Sequence, residues 1–177
     1  MDTTTGIVAI AVSLTMTLLI STSLKKPKED QYGNKILVFP KFYIIMGLIA
    51  ICSSLIVLIG GLITADPGEK IIVILISLMF LGLGLPLFFI GKNFKLIITP
   101  NELIHTNIFG KTSKINWEAI TSISYGKLSQ ELKIKTDSLK IKVHQHAVGF
   151  LYLINTIESK TKYTRKSLGI PFLKTKA

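Results

Sequence analysis

Few side chains in this sequence have types and spacings suited to chemistry. His144 and His146 stand two apart at the end of an alternating segment, so two imidazoles are offered to one side. A zinc site needs three or four ligands, no cysteine is near, and His-x-His alone falls short of that set. His105 stands by itself. All three are expected to be surface histidines. Cys52 is the only cysteine, which excludes a disulfide scaffold. It sits within an apolar run and reads as a small apolar residue. Glu102, Glu118, Glu131, Asp137 and Glu158 are scattered next to turns or on wet faces, and no pair is spaced for general acid–base work. Gly-x-Gly-x-x-Gly, Walker, Gly-x-Ser-x-Gly and His-Glu-x-x-His motifs do not occur. The expectation is a protein that is not an enzyme, with no catalytic residue, metal or cofactor.

The basic residues are the remaining site candidate. Lys133, Lys135, Lys140 and Lys142 alternate with apolar residues, so all four should project from one face of a β-hairpin. Like charges on adjacent strands repel, a cost that needs an offset. Further on, Lys160, Lys162, Arg165, Lys166, Lys174 and Lys176 have no acid after Glu158, and Tyr163, Leu168, Ile170, Phe172 and Leu173 interleave them. Such a segment suits an anionic leaflet, at about 1 kcal/mol per basic residue near the surface. Two readings stand side by side: a solvated positive face, or a site for anionic lipid headgroups or an acidic protein partner. Nucleic acid is disfavoured, because Arg165 is the only arginine and no aromatic residues line the basic face.

Elements must hold these residues in place, and composition says what kind. Of the 177 residues 49% are hydrophobic and 18% charged, yet 21 basic residues oppose 10 acidic ones for a formal charge of +11. An apolar and strongly basic chain must separate the two properties along its length. Three stretches carry no charge, residues 6–24, 42–64 and 71–91. A hydrocarbon core of ~30 Å needs about 20 helical residues, so each is long enough to span. The first contains six Ser and Thr residues and is preceded by Asp2 with no Lys or Arg; the lysines follow it. That layout fits an uncleaved anchor better than a signal peptide.

Lysines also set the orientation. Lys25, Lys26, Lys28, Lys35 and Lys41 lie between the first two stretches, and 15 basic against 5 acidic residues follow Gly91. Lysine-rich segments stay inside, so the N-terminus is expected outside and the C-terminal domain cytoplasmic, in the plasma membrane. No ionisable residue interrupts any span, which argues against a transporter. Gly47, Ala50, Ser53 and Ser54 are small residues at helical spacing, suited to packing within the helical unit or to a homo-oligomer. Gly82, Gly84 and Pro86 predict a kink in the third span.

From Phe94 the pattern becomes alternation. Strands are predicted at 95–99, 103–108, from Lys114, at 121–125, 131–135 and 139–144, and an amphipathic helix over 148–159. Trp117, Ile120 and Ile123 recur at intervals of three, which suits a corner in which a buried indole finds a carbonyl. Strands followed by one helix describe an α+β module. The expected organisation is a three-helix transmembrane region (1–91), a folded domain (92–160) and a basic tail (161–177).

The run Leu96-Ile97-Ile98-Thr99-Pro100-Asn101-Glu102-Leu103-Ile104, then Phe109-Gly110-Lys111, then Ile115-Asn116-Trp117-Glu118-Ala119-Ile120-Thr121-Ser122-Ile123 resembles the bacterial pleckstrin-homology (PH-like) domain. The resemblance spans about 92–160 and includes a preceding transmembrane hairpin. It implies two bent antiparallel sheets forming a partly open barrel, capped by a C-terminal helix. Phosphoinositide binding in eukaryotic relatives uses basic residues around the first hairpin loop; here that loop is Thr99-Pro100-Asn101-Glu102, so that ligand is not expected. The functional expectation is a membrane-anchored interaction or adaptor protein whose partners are the lipid bilayer, anionic headgroups or a membrane protein. The alternative is bacteriocin self-immunity, protection against a cationic membrane-active peptide.

Overall fold

The computed structural model describes residues 25–171. The first apolar stretch, 6–24, lies outside the described residues, as do Lys174 and Lys176. The described chain divides into two compact units, one helical and one of sheets.

The helical unit is built on α1 (Lys41–Thr64) and α2 (Lys70–Asn93). Both are long and apolar enough to cross a membrane, with a mean hydropathy of 2.7 over their most apolar windows. They coincide with the second and third charge-free stretches. Small residues recur every seven positions on each helix: Gly47, Ser54 and Gly61 on α1, and Ser77, Gly84 and Gly91 on α2. Seven residues are nearly two turns, so each set forms one seam. The seams face each other. A Cβ on Gly47 would lie 2.5 Å from the Phe88 backbone nitrogen, and one on Gly84 3.0 Å from the Gly47 carbonyl oxygen. Midway, Ser54 Oγ donates to the Ser77 carbonyl and Ser77 Oγ to the Ser54 carbonyl, both at 2.8 Å. Each hydroxyl buried among apolar residues is thereby satisfied. Of the small residues expected to serve packing, Gly47, Ala50 and Ser54 do so within this pair. α2 runs unbroken through Pro86.

In the second unit, strands β1 (Lys28–Glu29), β2 (Lys35–Val38), β3 (Lys95–Ile98), β4 (Glu102–Thr106) and β5 (Thr112–Asn116) form one sheet in that order. Strands β6 (Ser122–Gly126), β7 (Glu131–Lys135) and β8 (Lys140–His144) form a second, antiparallel sheet. The helix expected near the C-terminus is α3 (Phe150–Lys160). Two antiparallel sheets and a terminal helix agree with the α+β reading.

The segment before α1 was expected to belong to the transmembrane region (1–91), and here the structure departs from the sequence reading. β2 pairs antiparallel with β3, placing Leu37 opposite Leu96 and Val38 opposite Lys95. Val148 N–H donates to the Val38 carbonyl at 2.8 Å. The sheet domain therefore begins well before residue 92, and the helical pair is an insertion between two neighbouring strands. Asp30 closes the β1–β2 turn. Its carboxylate accepts from the Asn34 side-chain amide and from the backbone N–H of Tyr32 and Asn34. These bonds, that of the Asn34 amide foremost, hold the carboxyl below its ordinary range.

The core is drawn from both sheets and α3. Leu37, Leu96, Leu103, Leu132, Ile134, Val143, Phe150, Leu153 and Ile157 have no exposed surface. Gly149 opens α3 at φ 85°, and a Cβ there would lie 2.7 Å from Pro27 Cβ. Only glycine accepts both the backbone angle and the close approach. Trp117 is buried as expected, and its Nε1–H donates to the Thr99 carbonyl at 3.1 Å.

Past α3 the chain does not trail away. Thr164 and Ser167 form a reciprocal capping box around α4 (Arg165–Leu168), Gly169 ends it at φ 66°, and Ile170 is buried. Up to Pro171 the basic segment is folded against β6 rather than laid out as a tail.

Candidate functional site

The β6–β7–β8 sheet assembles four of the basic residues singled out from the sequence. Alternation buries Leu132, Ile134, Ile141 and Val143 and turns Lys133, Lys135, Lys140 and Lys142 to the opposite face. The register sets Lys133 directly across from Lys142 and Lys135 across from Lys140. The four lysines thus occupy a quadrilateral of positions on one face of the sheet. Glu131 shares the face, and its carboxylate lies 3.7 Å from the Lys142 ammonium. One carboxylate does not balance four lysines.

A row of hydroxyls borders the lysines. Ser124 stands opposite Lys133 and Ser122 opposite Lys135. The sequence reading did not single out these serines. Their two-residue spacing was visible, but only the β6–β7 register sets them beside the lysines. Ammonium groups flanked by hydroxyl donors can hold phosphate or carboxylate oxygens by charge and by hydrogen bonds.

The other described basic candidates are not part of this quadrilateral, and Lys160, Lys162 and Arg165 have partners of their own. Lys160 Nζ donates to the Pro100 carbonyl at 2.7 Å and lies 5.7 Å from the Trp117 ring centroid. It borders a cavity of about 430 Å³ lined also by Asn101, Asn116 and Glu118. Lys162 lies over the Tyr163 ring at 5.9 Å. Arg165 donates from its guanidinium to Asn155 Oδ1 at 3.0 Å, and its backbone N–H is held by Glu158. Lys166 is exposed on α4.

The histidines are not surface residues. His105 and His146 are buried and His144 is half-buried. His105 shares the inward face of β4 with Leu103, because Leu103 and Ile104 are both apolar and only the register decides which faces in. His144 and His146 lie with ring centroids 4.6 Å apart, and His146 N–H donates to His144 Nδ1 at 3.2 Å. That nitrogen must be unprotonated to accept. Burial lowers the pKa of all three from the ordinary 6.5, and the neighbouring His146 lowers that of His144 further. Among the described residues, no group of three or more His, Cys, Asp or Glu side chains is placed to hold a metal.

Comparison of the chain with known proteins finds no match to a family model, to a curated protein or to a solved structure. Its role is therefore read from its own geometry.

Proposed function

We propose that this chain is a non-enzymatic, PH-like interaction module anchored in the cell membrane by its helical pair, with its sheet domain at the cytoplasmic face. One observation carries the reading: the inserted helices join β2 to β3, two strands of the same sheet. Two crossings return a chain to the side from which it left, which is what a sheet built from residues on both sides of the insertion requires. The lysines of 25–41 and those after Gly91 fall on that same side, and lysine-rich segments stay inside. Anchoring removes most of the translational cost of meeting a membrane partner and raises its effective concentration. The lysine quadrilateral on β7 and β8 is the binding face, and its unbalanced charge favours an anionic surface such as acidic lipid headgroups.

Topology is tested by cysteine labelling of the full chain in intact cells, on a Cys52→Ala background. A membrane-impermeant maleimide should label Pro67→Cys, in the helix–helix turn, and should reach Asp137→Cys, in the β7–β8 turn, only after permeabilisation. Labelling of Asp137→Cys from outside would reject the reading. For the binding face, Lys133→Glu with Lys142→Glu should reduce the acidic lipid that co-purifies with the protein. The same cationic face favours a second reading, protection against a cationic membrane-active peptide. Deletion of the gene should then sensitise cells to such peptides.

A further inference from the structure

The tip of the β4–β5 hairpin belongs to the helical unit. Residues 106–111 cluster with α1 and α2 and not with the sheets. Asn93, the last residue of α2, donates from its side-chain amide to the Ile108 carbonyl at 2.7 Å. The next residue, Phe109, is 84% exposed.

This exposure is built in. Asn107 Oδ1 accepts from the backbone N–H of both Phe109 and Lys111, at 2.9 and 3.0 Å. Asn107 N–H donates to the Lys111 carbonyl and Gly110 N–H to that of Asn107, each at 3.0 Å. Gly110 takes φ 80°, which closes the turn. A turn so fully bonded holds its aromatic ring outward by construction. An isolated benzyl group in water gains nothing from that arrangement; one in a lipid interface does.

The level of the tip follows from the helices. Each has 24 residues, about 36 Å at ~1.5 Å per residue, against a hydrocarbon core of ~30 Å. Their ends therefore stand a few ångströms into the headgroup region. Lys41 opens α1, Lys92 lies in the last turn of α2, and Gly91 packs on Ile44, so both lysines are at the same end of the pair. Lys111, two residues past Phe109, adds a third ammonium to the helical unit at the tip held by Asn93. Long basic side chains at helix ends keep their charge among the headgroups.

We propose that Phe109 is an interfacial anchor: the hairpin tip held by Asn93 inserts this ring into the boundary between headgroups and acyl chains of the bilayer, with Lys111 at headgroup level. The inference rests on the membrane-spanning reading above. It assigns a lipid contact to a residue of the hairpin, outside both apolar helices.

The experiment is depth measurement by spin labelling of the full chain in lipid vesicles, on a Cys52→Ala background. Phe109→Cys carries one label and Ile56→Cys, exposed midway along α1, carries the other. Collision with oxygen is compared with collision with a water-soluble nickel chelate. The label at 56 should sit in the acyl region. At 109 the oxygen-to-nickel ratio should be several-fold above that of free label in buffer, at interfacial depth. A label at 56 in lipid with one at 109 fully in water would overturn the anchor and leave the spanning reading intact. Labels in water at both positions would overturn the two together. A Phe109→Trp variant gives a second readout, its emission quenched by brominated lipid beyond any quenching of buried Trp117 in the parent.

Discussion

Replacing Leu37 by Ala tests whether the segment ahead of the helices belongs to the folded domain. Leu37 has no exposed surface, lies opposite Leu96, and its Cγ would be 3.3 Å from a Cβ built on Gly149. The substitution removes three carbons, each worth ~0.8 kcal/mol of transfer free energy. A cavity term adds to this, because the sheet and α3 hold the walls apart, giving a loss of about 3–4 kcal/mol. For a domain of ~60–100 residues each kcal/mol lowers the midpoint by ~4–8 °C, so the expected drop is roughly 12–32 °C. Thermal melting in lipid nanodiscs, followed by the fluorescence of Trp117, the single tryptophan, reads this directly. Leu37→Met keeps the volume and should cost less than about 1.5 kcal/mol. If Leu37→Ala melted within about 2 °C of the parent, β2 would contribute no core, and its pairing with β3 would be wrong.

Three further outcomes are expected. Trp117→Ala should destabilise the sheet domain by about 3–5 kcal/mol, seen as an early far-UV transition, because it empties a buried site and strands the Thr99 carbonyl. Ser54→Ala and Ser77→Ala should be non-additive, with a coupling near ~0.6 and up to ~1.7 kcal/mol in a double-mutant cycle of unfolding in micelles; strict additivity would mean the reciprocal bonds contribute nothing. Acidification should lower stability. His105, His144 and His146 have folded pKa values depressed below the ordinary 6.5, so the unfolded chain takes up more protons in that window. Their contribution is fully present above pH 6.5 and is lost as pH falls through the folded values. Melting from pH 7.5 down should show this slope below about 6.5, and His144→Gln should reduce it.

The elements legible in the sequence were those with a local signal. The two charge-free runs fix α1 and α2 by length alone, and the strict alternation of 131–135 and 140–143 fixes both the β7–β8 hairpin and the face its lysines share. Trp117 was legible because its three-residue spacing to Ile120 and Ile123 marks a corner. What escaped depends on partners distant in sequence. Lys35-Ile36-Leu37-Val38 shows no alternation, and its partner strand lies beyond both helices. His105 was misplaced because Leu103-Ile104 leaves the inward face undecided. Ser122 and Ser124 join the candidate site only through register. The folding of the basic segment had a readable cue in Thr164, Ser167 and Gly169, masked by the charge around it.

Insertion of the helices between paired strands also dictates an order of assembly. A ribosome delivering ~5–20 residues per second releases Lys95 about 3–11 s after Val38. During that interval β2 presents a bare edge with no cognate strand, while both apolar helices emerge. Closure of the sheet must therefore wait until both helices have been made; on the spanning reading proposed above, their integration into the bilayer precedes domain maturation. A chain cut short within the helices would be left with an unfinished sheet, a form that quality-control proteases can recognise.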